Sequence, residues 1–297
     1  MIIISKNQQA ILYMLGAMFC LSAMNVALRM LAVDSDMHFT QLVVLRHICS
    51  IAIVVVWAAL LVRGIPSFYS QRMSGHFWRA TFGICAMEMW FYSITIMPIT
   101  FATALSFTTP IFSTIFAIIF LREKAGIRRW AAIFTGFIGM LIILRPDISG
   151  VSNDGWIVIV ASVLMAGSGI MVKSLTSSES PETMVFYMSI FMLVWSIPPA
   201  IPFWQSFTLS QLGIAFVVAL FSTAAHLLMA RAFARTEMVV LVPFDFTRLI
   251  FTVLLAYQFL GETIDVHTIT GSFVIVASTV YIARREAKAK RAISLKS

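Results

Sequence analysis

Apolar runs long enough to cross a bilayer, at roughly 20 residues each, recur along the chain at about 9–33, 39–62, 76–97, 99–121, 127–144, 155–173, 182–203, 209–230, 237–260 and 266–283. Polar or charged residues separate them. The third and fourth are split only by Met97-Pro98-Ile99-Thr100, and the seventh ends on Pro198, Pro199 and Pro202. Such prolines are tolerated where neighbouring helices satisfy the freed backbone groups. The first run is too long for a signal-peptide core and leads into further apolar runs, so it predicts a retained helix. The pattern predicts ten transmembrane helices.

The ninth run carries charges that a spanning helix seldom tolerates. Asp245 and Arg248 lie near its middle, where each costs on the order of 2.5–3.5 kcal/mol, and at i, i+3 they share a face that Thr252 extends. Pro243, just upstream, frees a carbonyl and predicts a kink. Shifting the frame back by 139 residues lays this region without gaps on 101–145, with 11 identities in 45 positions. They include Phe107/Phe246, Glu123/Glu262 and Arg145/Arg284. An internal repeat accounts for them, and it sets Asp245, Arg248 and Thr252 on Ser106, Thr109 and Ser113. The first copy thus offers hydroxyls where the second offers charges. Five helices per copy is an odd number, so the second copy enters the membrane from the opposite face.

The expected fold class is therefore an all-α integral membrane protein, ten transmembrane helices as two inverted five-helix repeats. Residues 1–150 form the first repeat and 151–297 the second, with a basic cytoplasmic tail. Inverted repeats meeting near the midplane are a recurrent architecture of secondary transporters.

Composition agrees: 60% hydrophobic residues and 11% charged residues, with a mean hydropathy of +0.93, exclude an ordinary soluble surface. The net charge of +8 does not point to nucleic acid, because the basic residues sit in loops and a tail. Seventeen of 21 Lys and Arg fall on one side of a ten-crossing topology, Arg79 among them as a loop residue. Both termini are thereby predicted to be cytoplasmic, in a multi-pass protein of the cytoplasmic (inner) membrane. The tail, with Arg284, Arg285, Lys288, Lys290, Arg291 and Lys296, suits contact with anionic lipid headgroups. Cys20, Cys49 and Cys85 lie within apolar runs, with neither disulfide nor metal spacing.

The stretches Pro98-Ile-Thr-Phe-Ala-Thr-Ala-Leu-Ser-Phe-Thr-Thr-Pro110 leading to Phe120-Leu-Arg-Glu123, and Pro243-Phe-Asp-Phe-Thr-Arg-Leu leading to Phe259-Leu-Gly-Glu262, together with helix count and duplication, resemble the EamA-type branch of the drug/metabolite transporter superfamily. The likeness covers about 10–285. It implies a secondary transporter moving small organic solutes through a central cavity lined by both halves, without a cofactor.

Substrate-binding candidates are Asn25, Tyr92, Ser106, Thr109, Asp245, Arg248 and Thr252. Proton-coupling candidates are Glu88, with Tyr92 one turn on, Asp245 and His226; Arg29 and Arg46 are possible charge partners. Asp245 and Arg248 also fit a buried ion pair, Glu88 a structural carboxyl, and Arg29 and Arg46 snorkelling side chains. Glu123 and Glu262, at helix exits, suit caps or interface pairs. There is no phosphate loop, metal-ligand spacing or ATPase motif, so the chain is not read as an enzyme. Ser222 and His226 at i, i+4 offer a weak basis for an intramembrane hydrolase; a non-transporting scaffold is a third class. The three arginines in predicted spans outnumber Glu88 and Asp245, favouring a small amphipathic solute with an anionic or zwitterionic group, amino-acid-like or nucleoside-like. The rival solute is a lipophilic cationic drug. Expected partners are that solute and membrane lipids, with the protein a monomer or homodimer.

Overall fold

The computed structural model describes residues 6–34, 38–61, 68–96, 105–144, 154–261, 264 and 266–294. Among them the chain forms helices α1 (Lys6–Asp34), α2 (Phe39–Leu61), α3 (Met73–Ile96), α4 (Thr109–Leu121), α5 (Ile127–Leu144), α6 (Gly155–Leu175), α7 (Pro181–Ala200) and α8 (Leu209–Phe233). The ninth span begins as α9 (Met238–Leu241), passes through a 3-10 segment (Val242–Phe246) and continues as α10 (Thr247–Leu260). Helix α11 (Val266–Ser294) completes ten rods. Six spans are both long and apolar enough to cross a membrane by themselves, and Thr109–Leu121 and Val266–Tyr281 are shorter apolar helices.

Most expected boundaries lie within a few residues of these. Three differ. The 3-10 segment interrupts the ninth span at Pro243, whose ring cannot donate to the ladder. Helix α11 runs on through the basic tail to Ser294, since Ala, Lys, Arg and Glu are good helix formers. Helix α3 starts at Met73, three residues early, and Arg79, counted among the loop charges, lies well inside it. Residues 97–104, which include the start of the fourth span, together with Arg145 and Glu262, lie outside the described residues, as does the side chain of Arg29.

Neighbouring rods close a ring in the order α1, α8, α2, α7, α3, α6, α4 and the ninth span, which returns to α1. Helices α5 and α11 pack on each other and against the 3-10 segment. Exchanging the first five rods for the last five reproduces the same ring read backwards. The inverted repeat is thus visible in the packing, with its two-fold running between α2 and α7 and between α4 and the ninth span.

Finer details obey the same exchange. Phe107 and Phe246, equivalent in the repeat, stack on each other at 5.7 Å between centroids and 13° between planes. Arg122 and Gly261, also equivalent, both end their helices in the left-handed region, with φ of 56° and 67°. Each donates its N–H to an equivalent carbonyl, that of Ala117 or Ala256. Glycine adopts this conformation freely, whereas an arginine there bears a steric cost.

Lipid is as apolar as leucine, so close backbone approach replaces the hydrophobic effect between membrane helices. Helices α5 and α11 cross at Gly139 and Gly271: a Cβ on Gly271 would lie 2.5 Å from the Gly139 carbonyl oxygen. Gly136 similarly leaves room for the Phe246 ring, which a Cβ would meet at 2.6 Å. Overpacking costs typically 1–3 kcal/mol. Gly271→Ala is accordingly expected to lower the unfolding temperature in detergent by several degrees. Gly213→Ala, with nothing within 4 Å of its added Cβ, leaves it unchanged. Equal melting of the two variants would refute the close crossing.

Candidate functional site

The break in the ninth span brings chemistry to the two-fold. In this turn Pro243, Phe244 and Phe246 are buried, while Asp245 is half-buried. Asp245 and Arg248 form no ion pair: among the described residues the carboxyl has neither hydrogen bond nor salt bridge, and the Arg248 guanidinium lies 5.3 Å over the Phe107 ring. A cation so placed is held by the ring's negative face. The aromatic pair therefore joins the repeats and seats the arginine at once.

Serines fix the backbone around this centre. Ser22 on α1 donates to the carbonyls of Met18 at 2.9 Å and Arg248 at 2.8 Å. In the other repeat, Ser162 on α6 donates to the Ser106 carbonyl at 3.4 Å. That same carbonyl accepts from the Thr109 hydroxyl at 2.8 Å. Ser106, Thr109, Asp245, Arg248 and Thr252 are thus gathered on adjoining turns of the fourth and ninth spans, each half-buried. Ser162 escaped the sequence reading because nothing in its apolar surroundings marks one serine above another.

Asn25 stands one turn beyond Ser22. Asn7, Met14 and Met18 share its face and are buried, yet Asn25 is exposed. The ring interior is therefore filled where α1 begins and accessible further along. The filling is a large apolar cluster drawing on Met14 and Ala17 of α1, Ala117 of α4, Leu175 of α6, Ala230 of α8 and Leu241 of α9. Polar caps tie off the same end. The Glu123 carboxylate accepts the N–H groups of Met238 and Val239, both at 2.9 Å, which satisfies orphan donors and the positive end of that helix. Lys173 donates to the carbonyls of Phe233 and Thr236, both at 2.6 Å. Arg231 pairs with Glu182 at 2.8 Å.

Glu88 and Tyr92 lie elsewhere. Arg79 points into the bundle, donating to the Met184 carbonyl at 2.9 Å and to the Met188 sulfur at 3.3 Å. Glu88 is nine residues on, half a revolution round the helix, so it faces the opposite way. It lines a groove of about 470 Å³ between α3 and α7 with Ile84, Cys85, Met89, Trp195 and Pro199, and Tyr92 is 57% exposed on the same stripe. The structure does not bring Glu88 to Asp245. Arg46 and His226 form a third group, where α2 meets α8. Ser222 and His226 share no hydrogen bond, which leaves the hydrolase reading without its nucleophile–base contact. Arg79 was missed as an interior residue because a basic residue near the start of a span was counted with the loop charges, and only its contacts with Met184 and Met188 show that it turns inward.

The EamA-like transporter family model matches the chain twice, over residues 8–145 and 155–284. The riboflavin transporter of Vibrio cholerae is 30% identical over 286 residues, covering 95% of either chain. The S-adenosylmethionine uptake transporter of Rickettsia bellii is 29% identical over 226 residues, 76% of this chain and 78% of that one. A crystal structure of 14% identity superposes with a TM-score of 0.80, covering 94% of this chain and 98% of the other; at that identity it speaks for the fold alone. These relatives are named as transporters rather than enzymes. With the duplicated match, the two-fold at Phe107 and Phe246 and the charged break beside it, the chain belongs to the EamA-like transporter family.

Proposed function

We propose that this protein is a secondary transporter carrying a small amphipathic metabolite with an anionic or zwitterionic group across the cytoplasmic membrane by alternating access. Its two units, 1–150 and 151–297, rock about the two-fold, with both termini cytoplasmic. The observation that carries the reading is the charged break of the ninth span on that two-fold, where Asp245 and Arg248, without a salt bridge among the described residues, stand beside the Phe107–Phe246 stack. A solute with a flat apolar part and a charged or dipolar part meets both features. The named relatives bear on the solute class unequally: S-adenosylmethionine carries a zwitterionic amino-acid group on a nucleoside, whereas riboflavin, a flat heterocycle on a neutral polyol, supports only the flat amphipathic part. The interior, filled where α1 begins and accessible at Asn25, fits a state open to the outside.

A thermal-shift screen of the purified protein against amino acids, nucleosides, S-adenosyl compounds, flavins and cationic dyes tests this reading. Stabilisation by a zwitterionic or anionic amphiphile, weakened in Arg248→Gln, is expected. Stabilisation by cationic dyes alone, unaffected by Arg248→Gln, would replace it with export of lipophilic cations.

Coupling to protons is assigned to Asp245 rather than Glu88, because Asp245 sits at the break while Glu88 faces the outer groove. Glu88→Gln is expected to keep flux and its response to a pH gradient within about twofold of the parent, or about 0.4 kcal/mol. Loss of the pH response in Glu88→Gln would move the coupling role to α3.

A further inference from the structure

Glu88 is a carboxyl that the transport cycle leaves unused, and it stands where a carboxyl is costly. It precedes the end of α3 at Ile96 by two turns, which at about 1.5 Å per residue places it roughly 12 Å inside the helix end, within the hydrocarbon. Among the described residues it has neither hydrogen bond nor ion pair, and no other charged group acts on it. An ionisable side chain at such a depth is ordinarily matched by a partner. Here the fold supplies none.

The groove around it is open and carries no cation. Ile84, 5% exposed, forms its floor, while Cys85, Trp195 and Pro199 are exposed at its rim, and none of its lining residues is basic. Pro199 adds a second acceptor. It lies inside α7 and has no N–H, so the ladder bond to the Trp195 carbonyl, four residues back, is not made. That carbonyl lies along the helix surface between Trp195 and Pro199, both of which line the groove. Hydrocarbon offers no donor to either acceptor. The Trp195 ring presents the aromatic face that attracts cations best, and Phe77, 6.3 Å away between centroids, continues the wall as apolar surface.

We propose that this groove binds an amphiphilic primary or secondary amine arriving through the bilayer. The Glu88 carboxylate and the freed Trp195 carbonyl accept its N–H groups, the Trp195 ring covers the cation, and the apolar tail lies along Phe77. Complementarity selects the occupant. A quaternary ammonium matches the charge but offers the carbonyl no N–H, and an alcohol offers a hydrogen but no charge, so the amine is preferred over both. The site is separate from the Asp245–Arg248 break and does not depend on the transporter reading.

The test uses full-length protein in phosphatidylcholine nanodiscs, with carbon-13 in the methionine methyl groups and the Met89 resonance assigned through Met89→Leu. Decylamine, decyltrimethylammonium and decanol are titrated separately. Decylamine is expected to move the Met89 resonance saturably, at a concentration at least tenfold below that required of decyltrimethylammonium, while decanol gives no saturable movement. In Glu88→Gln the affinity for decylamine falls at least tenfold, Trp195→Leu weakens it in the same direction, and Asp245→Asn binds as the parent does; unchanged resonances of the other methionines show that each variant is folded. Unsaturable movement shared by all three amphiphiles is partition into the bilayer only and overturns the proposal, as does a Glu88→Gln protein that binds like the parent. Loss of decylamine binding in Asp245→Asn places the amine in the transport pathway and overturns the separate groove. Discs of phosphatidylethanolamine in which decylamine no longer moves Met89 give the site to a lipid headgroup and overturn the free amine. Flux in proteoliposomes is measured in parallel: decylamine binding without flux of any solute removes the transporter reading and leaves the groove, and flux without decylamine binding removes only the groove.

Discussion

Asp245→Asn is expected to reduce solute flux by roughly 100-fold while the protein inserts, folds and melts no lower than the parent. Asparagine keeps the shape of the side chain but not its charge. Removing one member of a desolvated charge constellation costs a bound partner about 2–5 kcal/mol, and each 1.4 kcal/mol is tenfold in affinity. The same change relieves a charge that the fold bears without a hydrogen bond, so stability is held or gained as activity is lost. Flux assays and melting curves on the same preparation check both halves. Lost flux with a lowered melting temperature would indicate a structural carboxyl, and retained flux would remove Asp245 from the transport cycle.

The second large effect concerns the filled end of the ring. Glu123 crosses from the first repeat to cap the first turn of α9, with two hydrogen bonds of 2.9 Å to backbone N–H groups. Hydrogen bonds to a charged group contribute about 1.5–3 kcal/mol each; Glu123 is half-exposed, so water offsets part of that. A net loss of roughly 2 kcal/mol in Glu123→Ala shifts the balance between closed and open forms of this end about 30-fold. Arg129–Glu237 at 3.0 Å does not compensate, because Glu237 is 54% exposed and surface pairs contribute little. Ala230, wholly buried in the apolar cluster, reports the opening. In a background lacking Cys20, Cys49 and Cys85, Ala230→Cys should react with a water-soluble maleimide about 30-fold faster when Glu123 is alanine. Equal rates would show that the apolar cluster alone keeps this end shut.

Much of this was legible in the sequence, for identifiable reasons. A span needs about 20 apolar residues, so ten runs announced ten rods, and Pro243 announced the break in the ninth. The repeat alignment paired Phe107 with Phe246 and Glu123 with Glu262. It could not say that the two rings touch, because a symmetry operation relates residues without locating its axis. Helical periodicity put Glu88 and Tyr92 on one stripe but left open which way the stripe faces, and the neighbours of α3 turned it toward the groove. Arg79, near the start of the third run, was counted as a loop charge, and only the packing of α3 against α7 makes it a buried donor. Arg46 and His47 were visible only as two polar residues in an apolar run; that Arg46 Nε and His47 Nδ1 are buried without a hydrogen-bond partner among the described residues is a property of the packing between α2 and α8.

Transport itself is measured most directly in sealed proteoliposomes. Labelled S-adenosylmethionine and riboflavin, chosen for the solutes of the named relatives, are tested beside a lipophilic cationic dye, with the parent protein, Asp245→Asn and protein-free vesicles. Saturable flux of at least one amphipathic metabolite above protein-free vesicles, lost in Asp245→Asn, is the predicted result. Flux of the dye alone, undiminished in Asp245→Asn, would contradict both the assigned solute class and the assigned site.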